Sequence, residues 1–105
     1  MHRIIGTWDL AIRTPIGTLN AVMTFQDEQG VLSGFAASRT EDVPLRDLRV
    51  ATDAQEDHVM WTQTITTPMR LELAFDVTID GDRMTGDSRA GRLPRSTVTG
   101  VRRVP

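Results

Sequence analysis

Leu71-Glu72-Leu73-Ala74-Phe75-Asp76-Val77-Thr78-Ile79 alternates without a break. Every odd position is apolar, and every even one is polar except Ala74. A period of two marks a β-strand with one face in a core and the other in water. Working outward toward the C-terminus, Asp80-Gly81-Asp82 follows at once, and an Asp-Gly pair favours a tight type I′ hairpin. The next strand is expected over residues 83–89, with Met84, Gly86 and Ser88 inward. Gly91-Arg92-Leu93-Pro94 then turns the chain into a last strand over 96–101.

The same pattern extends toward the N-terminus. Residues 58–66 put Val59, Trp61 and Ile65 on one face, with Gln63 beside them, and residues 53–57 read as an acidic loop. Residues 46–50 read as a short strand with Leu48 and Val50 inward, a single helical turn over 41–48 being the alternative. Residues 39–44 read as a polar connection, in which Pro44 discourages helix before it. Residues 31–39 form a weaker strand whose inward set, Leu32, Gly34 and Ala36, is small. Leu19, Ala21, Met23 and Phe25 alternate in the second strand, and Trp8, Leu10 and Ile12 in the first. Pro15-Ile16-Gly17 and Asp27-Glu28-Gln29-Gly30 supply the turns. Eight short-looped strands and no convincing helix predict one all-β domain over residues 1–105, an eight-stranded antiparallel up-and-down barrel.

Composition narrows the chemistry. The net charge of −2 offers no broad basic surface for nucleic-acid phosphates. The apolar runs fall far short of the roughly 20 residues that span a bilayer, so no membrane partner is expected. Met1-His2-Arg3-Ile4-Ile5 is too short for the core of a signal peptide, and a cytoplasmic location follows as the expectation. The chain has no cysteine, no tyrosine and no lysine, all twelve basic residues being arginine. Thiolate, Schiff-base and phenol chemistry are therefore closed to it, as are disulfides and thiolate metal sites. His2 and His58 stand far apart with no ligand at metal spacing, and Asp80-Gly81-Asp82 lacks the further oxygens of a calcium loop. No metal and no cofactor is expected.

Gly6-Thr7-Trp8, Thr14-Pro15-Ile16-Gly17, the run from Thr67 through Phe75, Asp80 through Gly86, Gly91, and Val98-Thr99-Gly100-Val101-Arg102 together resemble a family. It is a group of small bacterial lipocalin-like domains, calycin-type barrels of largely unassigned function. The resemblance spans nearly the whole chain and is weak through residues 31–58. It departs where Arg92-Leu93-Pro94-Arg95 replaces a turn usually rich in glycine and phenylalanine. It implies a calycin-like barrel in which Arg102 lies across Trp8 and closes one end. It carries no activity with it. An avidin-like grip is excluded by two tryptophans and no tyrosine.

The inward faces leave a candidate site. Trp61, Gln63, Met23, Phe75, Met84 and Ser88 mix aromatic, adaptable and polar character, as small-molecule pockets do. An inward glutamine left unpaired costs about 1–3 kcal/mol. Gln63, Ser88 and Ser38 therefore either orient a ligand or bond one another or a trapped water. The first expectation is a barrel that binds a small, mostly apolar molecule. Two alternatives stand beside it: an isomerase, cyclase or lyase that positions an apolar substrate, and an oligomerising accessory domain whose barrel its own side chains fill. Phe35 and Met60 fall on outward faces, which predicts a homodimer or tetramer.

Overall fold

The computed structural model describes residues 3–15, 17–37, 42–52, 55–66 and 70–104. Ile16, Ser38, residues 39–41, Asp53, residues 67–69 and His2, all used in the sequence reading, lie outside them. Among the described residues, nine strands form a single antiparallel sheet: β1 (Gly6–Thr14), β2 (Gly17–Glu28), β3 (Val31–Ala37), β4 (Asp42–Pro44), β5 (Arg46–Thr52), β6 (Asp57–Ile65), β7 (Leu71–Asp80), β8 (Arg83–Arg89) and β9 (Ser96–Arg102). The order across the sheet is β4-β3-β2-β1-β9-β8-β7-β6-β5. First and last strands pair, Trp8 opposite Arg102 and Leu10 opposite Gly100. The sheet thus curls into a nearly closed barrel. No described residue is helical, so the helical turn weighed for residues 41–48 is not formed over 42–48.

The count of nine corrects the expected eight, and the reason is local. Asp42–Pro44, read as part of a connection, pairs with β3 and places Pro44 opposite Phe35. Proline has no N–H to give a ladder, and the edge of a sheet tolerates that. Leu45 alone separates β4 from β5, and its N–H donates to the Gly34 carbonyl at 2.9 Å. The chain then bulges between Arg46 and Arg49, with Asp47 at a φ of 54°. From Arg46 onward the chain pairs with β6 instead of β3. The two ends of the sheet are therefore consecutive in the chain, and one residue bridges the seam.

Turn chemistry is also redistributed. At Gly81 and Asp82 only the glycine has positive φ, the pattern of a type II′ turn rather than the expected I′. The I′ pattern occurs at Gln29 and Gly30, where both residues have positive φ. There the Asp27 side chain accepts the Gly30 N–H at 2.8 Å.

The core is the inward face of every long strand. Trp8, Leu10, Ile12, Met23, Phe25, Ala36, Val59, Trp61, Leu73, Phe75, Val77, Ile79, Met84 and Val98 are all buried, and Ile4 joins them from before β1. Leu19 is the exception to the second strand's alternation. It sits at the rim, 42% exposed. Gly86 allows two strands to approach closely, since a Cβ there would meet the Asp76 carbonyl and would lie 2.6 Å from Val77 Cα. No helix among the described residues is long and apolar enough to cross a membrane.

Candidate functional site

The two ends of the barrel differ in how they are sealed. At the base, where β1 and β8 begin and β9 ends, the Arg102 guanidinium carbon lies 4.4 Å from the centroid of the Trp8 ring. A cation over an indole face contributes about 0.5–2 kcal/mol. The same guanidinium donates to the carbonyls of Arg3 and Ile5, and its Nε donates to Asp82 at 2.9 Å. The Trp8 indole N–H donates to the Ile4 carbonyl at 2.8 Å. Three successive carbonyls are thereby held, and Ile4 is pressed fully into the core.

Asp57 completes this base, and sequence reasoning missed it. Its sequence neighbourhood reads as an acidic loop. It is instead the first residue of β6, and its carboxylate is buried. Arg3 donates to it twice, from its backbone N–H and from its guanidinium, each at 2.7 Å. Burial pushes the Asp57 pKa up, but the two Arg3 hydrogen bonds and one from Thr52 outweigh burial and leave it below the ordinary range. The signal was present in the parity: Asp57 falls in step with Val59, Trp61 and Gln63 on the inward face.

The six residues expected to line a pocket do share one interior. Met23 and Met84 lie toward the base, opposite Trp8 and Gly100 respectively, and are fully buried. Trp61 and Phe75 face each other in register and stack at 4.9 Å between centroids, 8° from parallel. Phe25 meets the Trp61 ring edge-on at 5.3 Å. Such aromatic pairs add about 0.5–1.5 kcal/mol beyond their burial. None of the six is more than 3% exposed.

Toward the other end, where the β1–β2 turn and the β8–β9 connection lie, burial relaxes. Ile65, Leu71 and Ala90 pack on the core there but are only half-buried, as Leu32, Val43, Leu45, Leu48 and Val50 are along β3 to β5. Gln63 and Ser88 stand where sealed core gives way to this apolar rim. They flank β7 on either side, Gln63 opposite Leu73 and Ser88 opposite Phe75. Gln63 accepts the Trp61 indole N–H at 3.0 Å through Oε1. Its Nε2 and the Ser88 hydroxyl bond no described residue. No fully buried side-chain nitrogen or oxygen among the described residues lacks a partner. These two groups therefore keep a sliver of reachable surface.

Outside the barrel, Phe35 and Met60 are 40% and 37% exposed, on β3 and β6. His58 pairs with Asp76 on the outer wall. No group of three or more His, Asp or Glu among the described residues is placed to hold a metal ion. No family model, curated protein or solved structure matches the chain.

Proposed function

We propose that this protein holds a small, mostly apolar molecule at the loop-bearing end of its barrel, over the Trp61–Phe75 stack. The observation that carries this reading is the pair Gln63 Nε2 and Ser88 Oγ. Both are polar, nearly enclosed and unpaired with any described residue, at the floor of a half-buried apolar rim. Apolar area removed from water supplies the affinity, at roughly 25 cal/mol per Å² before association costs. The amide and the hydroxyl supply orientation, because a ligand without a matching group leaves them unsatisfied. The molecule sits over the Trp61–Phe75 stack beside Gln63 and Ser88, and the side chains beneath adjust to admit it. Met23 and Met84 suit that adjustment, since a thioether chain repacks easily.

Titration with naphthalene and 1-naphthol tests the reading. Both are expected to saturate, 1-naphthol the tighter, and Gln63→Leu narrows the difference between them. Binding of neither, or binding unaffected by Gln63→Leu, contradicts it.

A second reading rests on a separate observation. The inward side chains of the strands form one buried cluster, while Val31 at 66%, Phe35 and Met60 stand exposed around the seam. That arrangement suits an assembly module that joins copies of the chain through its outer wall. Sedimentation at tens of micromolar, taken with the titration, separates the two readings.

A further inference from the structure

The outer wall of β5 to β8 carries a groove of about 270 Å³, whose lining includes Trp61 and Phe75 along with outward-facing residues. A barrel wall is ordinarily convex. Here two local features hollow it. The bulge at Asp47 lifts β5 away from the ladder, and Ala74 is the one small side chain in the outward row Glu72, Ala74, Asp76 and Thr78 of β7. Met60, Thr62 and Ala74 floor the groove. Arg49 stands on one bank, Arg89 and Arg95 on the other.

Its charges are not equivalent. Each of the three carboxylates facing the groove is engaged within the chain. Asp47 accepts the Thr62 hydroxyl at 3.2 Å, Asp76 pairs with His58, and Asp87 pairs with Arg95 at 3.5 Å. The guanidiniums of Arg49 and Arg89 make no ion pair or hydrogen bond with any described residue. Asp47, bonded only to a hydroxyl, keeps its charge on the β5 side, and Arg49 and Arg89 keep theirs in the planar, forked form that binds a carboxylate through two parallel hydrogen bonds. Beside it, the Met60 thioether and the flat Ala74 surface favour an aromatic ring, which sulfur and guanidinium both contact well. The volume lies just below the range of drug-sized pockets, which limits the occupant to a small molecule.

We infer that this groove binds a small aromatic carboxylate, its ring on Met60 and Ala74 and its carboxylate held by Arg89 or Arg49. The groove shares Trp61 and Phe75 with the interior site, while Met60, Ala74 and the arginines belong to the groove alone.

The test follows the methyl resonances of Met60 and Ala74 while benzoate, and separately the neutral isostere benzamide, is added to the full chain. Benzoate is expected to shift both methyls saturably, with affinity about tenfold above benzamide. That factor corresponds to one charge-assisted pair of hydrogen bonds. Arg89→Gln or Arg49→Gln, both on the exposed wall and checked for an unchanged spectrum, is expected to remove that tenfold advantage. Equal response to benzamide, benzoate binding unchanged in both variants, or methyl shifts confined to Met23 and Met84 overturns the inference. The last of these outcomes would assign benzoate to the interior instead.

Discussion

Arg102 covers Trp8: the guanidinium of the last strand lies 4.4 Å from the indole centroid of the first, and the two side chains between them hold the carbonyls of Arg3, Ile4 and Ile5. Ring, cation and preceding segment form one unit that seals the base. Removing the ring therefore takes away packing, the cation's seat and the Ile4 bond together. Trp8→Ala is expected to destabilise by roughly 3–5 kcal/mol in urea unfolding. An unchanged midpoint would mean that the base is not held this way.

Asp57 predicts a pH dependence. Its folded pKa lies below the ordinary aspartate value of about 3.9. A depressed carboxylate contributes stability that is fully present above the unfolded value and lost as pH falls through the folded one. Stability should thus fall as pH drops below about 4, and Asp57→Asn should flatten that part of the curve. At neutral pH the same variant should cost about 1–3 kcal/mol, the range for a buried charged hydrogen bond. Parallel acid limbs for the two proteins would remove Asp57 from this role.

Gly86→Ala should be poorly tolerated. The added methyl would press on the Asp76 carbonyl and on Val77 Cα, both backbone, so no side chain can swing aside. A loss of roughly 1–3 kcal/mol is expected from overpacking of this kind. Thermal unfolding measures it, and a neutral result would show that β7 and β8 can separate freely.

Much of this was legible in the sequence, for one physical reason. Alternation is enforced wherever a strand has one face in the core, so β1, β2, β6, β7 and β8 and most of their inward residues followed from parity, Leu19 at the rim and the half-buried Ile65 apart. The seam did not. Asp42–Pro44 pairs through three residues only, too few for a period to show, and a proline at an edge looks the same as a proline in a loop. Asp57 was lost because a charge at a strand end reads as solvent-facing until its partner is known. That partner, Arg3, precedes the first strand and has no pattern to betray it. The interior set was recognisable as residues on inward faces. That Gln63 gives its oxygen to Trp61 and keeps its nitrogen free depends on rotamers, which no spacing encodes.

The outer wall makes its own prediction. Val31, Phe35 and Met60 expose apolar surface around the seam, where β3 and β5 part. Association through this wall should give a homodimer or tetramer at tens of micromolar, and the paired change Phe35→Ser with Met60→Ser should return it to monomer. A monomeric parent chain in sedimentation contradicts the assembly reading and leaves the ligand reading untouched.

The central claim, a ligand seated over Trp61 at the loop end, is tested most directly by the two indole N–H resonances. One belongs to Trp61 and is bonded to Gln63, and the other to Trp8 and is bonded to Ile4 in the sealed base. Addition of 1-naphthol to the unmodified chain should shift the Trp61 resonance saturably and leave that of Trp8 in place. Shifts at Trp8 alone, or at neither indole up to the solubility limit, would contradict the account.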